Sequence, residues 1–157
     1  MPRTGPTDDP LALERQVCFA LAVASRTVIS VYRPVLEPMG LTHPQYLVML
    51  ALWGREPLSV TELGRVLELD VGTLSRLLKR LESAGLVTRE RNPADERSLA
   101  VGLTARGRDL REEALDVPVR VLERLGMDLD ELVELRDRLT RVIDAAKDAT
   151  RETMAPA

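Results

Sequence analysis

The sequence predicts a mainly α-helical fold with a small β-hairpin wing: a winged helix-turn-helix dimer with dimerisation helices at its N- and C-terminal ends. Three observations lead there. Within residues 58–103, LSVTELGRVLELDVGTLSRLLKRLESAGLVTRERNPADERSLAVGL, two short amphipathic helices are separated by a tight turn. Two segments of alternating apolar and polar residues follow directly, joined by the turn-rich Asn92-Pro-Ala-Asp-Glu96. Before and after this block, apolar residues recur at helical spacing on segments that want a partner.

Taken in order, residues 1–10 hold three prolines and are expected to be loose. Leu13, Val17, Leu21, Ala24 and Val28 then place a helix over 11–31, expected to end near Arg33 because a residue preceding proline disfavours helix. Pro44 suits the start of a second helix capped by Thr42 or His43. From Tyr46 to Trp53 that helix is apolar nearly all round, so it should be buried. Ser59-Val-Thr-Glu62 has the form of a capping box. It opens a helix bearing Val60, Leu63, Val66 and Leu67 that ends near Glu68. Asp70 caps the next helix, Leu74, Leu77, Leu78 and Leu81 form its buried stripe, and Gly85 ends it. The hairpin strands are 86–91 and 98–103. Thr104 caps a charged helix over 105–125, which Pro118 should bend or interrupt. Asp128 opens a last helix, with Leu129, Leu132, Val133, Leu135, Leu139, Val142, Ile143 and Ala146 on one side and fraying after Thr150. The organisation is therefore a flexible N-terminus (1–10), an N-terminal dimerisation helix and connection (11–44), a winged helix-turn-helix module (45–103), C-terminal dimerisation helices (104–150) and a flexible tail (151–157).

Composition narrows the function. A chain of 157 residues is one domain with an appended assembly element. The net charge of −3 excludes a non-specific nucleic-acid coat but not a local basic footprint. Between residues 73 and 97 six bases face four acids, so order along the chain says more than charge. No uninterrupted apolar run approaches the ~20 residues of a membrane span, and the N-terminus lacks a signal-peptide core, so a cytoplasmic protein with no membrane partner is expected. One cysteine and one histidine make neither a metal site nor a catalytic triad, and no cofactor is expected.

The second helix of such a module is the reader. Thr73, Ser75 and Arg76 near its start, with Lys79 and Arg80 one turn on, are donors suited to base edges and phosphates. Arg91 and Arg97 flank the hairpin tip, where long arginines suit the minor groove. The expected partner is a double-stranded, pseudo-palindromic DNA operator read by a homodimer, with half-sites about 34–36 Å apart.

Taken together, QVCFALAVASR, VYRPVLEPMGLTHPQYLVMLALW, LDVGTLSRLLKRLESAGLVTR and NPADERS resemble the MarR family, and within it the OhrR branch that senses organic hydroperoxides. The resemblance implies a repressor bound to DNA when reduced and released when organic hydroperoxide oxidises Cys18 to a sulfenic acid. It places Ser75 and Arg76 on the major groove, makes Asp95 the acid that shapes the wing, and sends Arg97 into the minor groove. It also implies that Tyr32 hydrogen-bonds the thiolate of the other subunit. Fourteen residues along a helix span about 21 Å, so Tyr32 cannot reach its own chain's Cys18. Two phenols of the OhrR pattern are replaced, by Ala22 and His43. Tyr46 matches a tyrosine that is structural in character. His43 is then either a substitute donor or imidazolium beside the thiolate, or a plain helix cap. With no second cysteine, a sulfenic acid would condense with a low-molecular-weight thiol or a backbone nitrogen, or oxidise further. Locally, Cys18 also reads as a small buried hydrophobe. In that alternative the protein is a MarR-like regulator released by a small amphipathic or phenolic ligand.

Overall fold

A computed structural model describes residues 9–92 and 95–154, the side chains of 92–98 excepted. Expectations placed on residues 1–8, 93–94 and 155–157, and on the side chains of Asp95 and Arg97, lie outside the described residues. The chain divides after Val117 into two units. The first holds a 3-10 turn (Leu13–Arg15), α1 (Val17–Leu36), α2 (His43–Gly54), β1 (Leu58–Ser59), α3 (Val60–Leu67), α4 (Val71–Ser83), β2 (Val87–Asn92), β3 (Asp95–Leu103) and α5 (Ala105–Ala114). Then follow α6 (Val117–Leu125) and α7 (Leu129–Met154).

Local chemistry explains most boundaries. Thr42 caps α2 in a reciprocal capping box with Gln45, and Ser59 does the same for α3 with Glu62. Asp70 caps α4 through the Thr73 N–H at 2.8 Å. At the far end of α4, Leu86 N–H bonds Leu81 O and Gly85 N–H bonds Glu82 O, the Schellman pattern. Gly85 adopts φ +75°, where a Cβ would be strained. Leu36, Val48, Met49, Leu52, Leu63, Leu74, Leu78, Leu81, Val87 and Val101 are nearly inaccessible and form the core of this unit.

The sheet has three strands in the order β1-β3-β2, all antiparallel. Its β2–β3 register runs from Val87↔Leu103 to Arg91↔Leu99, shifts, and resumes at Asn92↔Asp95. The hairpin is thus longer than expected: Asn92, Asp95 and Glu96 belong to strands rather than to the turn. The strand β1 has no signal in the sequence because it is two residues long and Ser59 doubles as the cap of α3.

Several expectations are corrected. The first helix starts at Val17 rather than Leu11 and runs through Pro34 to Leu36. A proline this near a helix end removes one hydrogen bond, while the next two residues, Val35 and Leu36, are core anchors whose burial outweighs it. Of the apolar residues that mark α3 by their spacing, Leu63 is buried while Val66 is 63% exposed. Leu115 and Asp116 separate α5 from α6, so Pro118 sits in the first turn of α6, where proline is tolerated, instead of bending a long helix. The last helix does not fray after Thr150 but continues to Met154. Finally, Val17–Met39 is long and apolar enough to cross a bilayer by length and composition, against the expectation that no segment is. Arg26 and Arg33 break the uninterrupted run without lowering its average far. Nearly all of α1 before Val31 is exposed within the chain. No residue of α7 is buried either.

Candidate nucleic-acid interface and sensor site

The basic residues of α4 sort by what already holds them. Arg76, Lys79 and Arg80 are exposed, and none is held in an ion pair among the described residues. Arg89, which the sequence counts with the same basic group, is instead committed: its Nε bonds Glu82 Oε2 at 2.7 Å and braces β2 against α4. Thr73 is exposed, but its hydroxyl donates to Asp70 Oδ2 at 2.7 Å. Hydrogen bonds from the Thr73 N–H and hydroxyl hold the Asp70 carboxyl below its ordinary range, so this cap is ionised. Ser75 is half-buried, a poorer reading position than the sequence indicates. Arg91 is exposed on β2.

The hairpin is anchored by Glu56, Trp53 and Gly107, which sequence reading missed, and by Thr104, the cap it expected. Glu56 accepts the Leu103 N–H at 2.6 Å and Arg108 Nε–H at 2.6 Å, tying β3 to α5. Burial pushes this carboxyl upward, but the two hydrogen bonds and the Arg108 charge outweigh it and hold it low. Thr104 caps α5 through the Gly107 N–H and donates to Gly85 O. Trp53 Nε1 donates to the Gly107 carbonyl at 2.8 Å. A Cβ on Gly107 would stand 2.1 Å from Leu86 O, so only glycine permits this approach of α5 to the α4–β2 turn. The one available signal was a glycine in an otherwise good helix.

Of the expected sensor residues, three meet and one stands apart. The Tyr32 ring packs edge-on against His43 at 5.0 Å and tilts over Tyr46 at 6.0 Å, and Tyr46 in turn meets Trp53 at 6.5 Å. Tyr46 is buried; burial and neighbouring Tyr32 raise its phenol, which keeps its proton and serves the core. Half-burial lowers the His43 pKa, which disfavours the imidazolium form. Nor is His43 the cap of α2, since Thr42 has that role. Cys18 is a free, exposed thiol near the start of α1. Because α1 is continuous from Cys18 to Tyr32, one chain keeps the two about 21 Å apart. Ala22 lies one turn beyond Cys18 and is exposed. Between α1 and the start of α2, Arg26, Ile29, Arg33, Thr42 and His43 help line a cavity of about 440 Å³.

A capped helix-turn-helix whose reader helix carries free cations and is braced to a hairpin defines a winged helix-turn-helix DNA-binding protein. Comparison with known proteins supplies the family. A profile of the MarR family matches residues 41–99. The chain is 40% identical over 136 residues to the organic hydroperoxide resistance transcriptional regulator of Bacillus subtilis (strain 168), covering 87% of this chain and 92% of that protein. It is 44% identical over 157 residues to the HTH-type transcriptional regulator TtmR of Methylorubrum extorquens (strain PA1), covering 100% and 80%. Its fold is similar to that of reduced AbfR of Staphylococcus epidermidis bound to DNA, with a TM-score of 0.71, 33% identity and coverage of 85% of this chain and 94% of that one. The chain belongs to the MarR family and is a transcriptional regulator, not an enzyme.

Proposed function

We propose that this protein is a cytoplasmic, homodimeric repressor that holds a pseudo-palindromic DNA operator while reduced and releases it when organic hydroperoxide oxidises Cys18. The observation that carries this reading is the placement of Cys18 on a continuous helix whose apolar residues Val17, Phe19, Leu21, Val28 and Ile29 remain exposed within the chain. An antiparallel second copy of α1 covers that face and brings Tyr32 of each protomer towards Cys18 of the other. The likeness to a hydroperoxide-resistance regulator over most of the chain supports the same assignment. Sandwiched in this way, the apolar length of α1 belongs to a protein interface and not to a bilayer.

In this chemistry the Cys18 thiolate attacks one oxygen of the hydroperoxide, the O–O bond breaks, and the other oxygen leaves as an alcohol after taking up a proton. The Tyr32 hydroxyl donates to the thiolate and favours its ionised form. Neutral His43 holds the Tyr32 ring in place. The sulfenic acid then condenses with a low-molecular-weight thiol, losing water. On the DNA side, Arg76 with Thr73 and Ser75 meets the major groove, Lys79 and Arg80 meet phosphates, and Arg91 and Arg97 serve the minor groove with Asp95 shaping the tip.

A second reading has its own observation. The cavity beside His43 carries two arginines, the Glu37 carboxylate and apolar walls, a setting suited to a small amphipathic or phenolic ligand. Titrating operator-bound protein with an organic hydroperoxide, with Cys18→Ser alongside, separates the two. Release of the wild type alone is expected. Release of both proteins by a non-oxidising phenolic ligand, with neither answering peroxide, would transfer the assignment to the cavity.

A further inference from the structure

The leading end of α4 presents an apolar side chain where donors were expected. Val71, the first residue of α4, is 69% exposed. Valine is a mediocre helix former and no cap, so local structure does not call for it at this position. Beside it, the place of a Cβ on Gly72 meets only Asp70 Oδ1, at 3.3 Å, and the backbone there is open to close approach. Thr73 has already given its hydroxyl proton to Asp70 Oδ2 and retains only a methyl group and lone pairs for an outside partner. Ahead of Arg76, the start of α4 therefore offers no further side-chain donor beyond the half-buried Ser75.

In a helix-turn-helix the N-terminal residues of the second helix meet base edges in the major groove. Among the groups exposed there, the thymine C5-methyl is the apolar one. We propose that Val71 is a specificity-determining residue that packs against a thymine methyl in each half-site, with Gly72 allowing the backbone to come close. Arg76, one turn further, reads or clamps the adjoining step. This deepens the DNA-binding reading and rests on it.

The test uses the full chain. Duplexes are first selected from a random DNA library with the wild-type protein. Each thymine of the selected half-site is then replaced singly by deoxyuridine, which deletes only the methyl, and affinity is read by fluorescence anisotropy. At one thymine per half-site the wild type should lose about fourfold, the scale of one buried methyl. Val71→Ala should bind more weakly than wild type and ignore that replacement, whereas Val71→Thr, which keeps a methyl, should still sense it. If selection yields sequences but no deoxyuridine replacement distinguishes wild type from Val71→Ala, Val71 does not read thymine although the protein reads DNA. Failure to enrich any sequence would instead overturn the DNA-binding reading and this inference with it.

Discussion

The DNA-reading unit and the first half of α1 are built on opposite terms. In the former, Leu63, Leu74, Leu78, Leu81, Val87 and Val101 are buried within one chain, the Glu82–Arg89 pair fixes the reader helix to the wing, and the Glu56 bridge ties β3 to α5. In the latter, residues 17–30 are just as apolar yet almost wholly exposed, with Cys18 among them. A rigid reader needs a core of its own. A sensor that must reposition two such readers is better placed on a surface that is complete only when two chains meet, because a small chemical change there acts on both.

The largest effect should come from breaking the self-sufficient half. Leu78→Ala empties a fully buried site and should cost about 2–5 kcal/mol of unfolding free energy in urea titration. Gly107→Ala forces a carbonyl and a methyl together and should cost about 3 kcal/mol. Loss of only a few tenths in either would mean that the reader is not braced as described. A different signature is expected on α1: Leu21→Asp should leave the melting of the reader unit in place but shift the monomer–dimer equilibrium at least about tenfold towards monomer in sedimentation. An unmoved equilibrium would remove α1 from the interface.

Smaller effects sharpen the division of labour. Arg97→Ala should weaken operator binding by about tenfold and lower its salt dependence, with the dimer intact; unchanged affinity would remove the wing from the account. The smallest effect concerns His43. Burial lowers its pKa in the folded state, so the stability tied to neutral His43 is present above the ordinary value near 6.5 and is lost as pH falls below it. Between pH 7.5 and 5.5 the wild type should therefore lose more melting temperature than His43→Gln. Equal losses would show that the histidine is not buried against Tyr32 in solution.

Legibility in the sequence followed the same divide. Capping residues announce themselves through short-range chemistry, and Thr42, Ser59, Asp70, Thr104 and Asp128 all cap as their local patterns predict. What escaped depends on groups far apart along the chain. The two-residue strand β1 exists only because β3 returns to it. Glu56 is an ordinary surface carboxylate until Leu103 and Arg108 arrive, and Gly107 is required only because Leu86 lies against it. Pro34 misled because its local cost is visible in sequence, whereas the burial of Val35 and Leu36 is not. Of the residues expected to touch DNA, Arg76, Lys79 and Arg80 are exposed, whereas the Thr73 hydroxyl is engaged by Asp70 and Ser75 is half-buried, which residue type alone does not show.

The central claim is that the sensor exists only between two chains, Cys18 from one and Tyr32 from the other. Mixed dimers test it most directly: Cys18→Ser protomers are paired with Tyr32→Phe protomers, and the rate of sulfenic acid formation with an organic hydroperoxide is followed by dimedone labelling. The remaining cysteine lies on the Tyr32→Phe chain and faces an intact Tyr32 across the interface, so it should react at the wild-type rate, while the Tyr32→Phe homodimer reacts more slowly. If the mixed dimer is as slow as that homodimer, the tyrosine acts within its own chain and the account of the sensor is wrong.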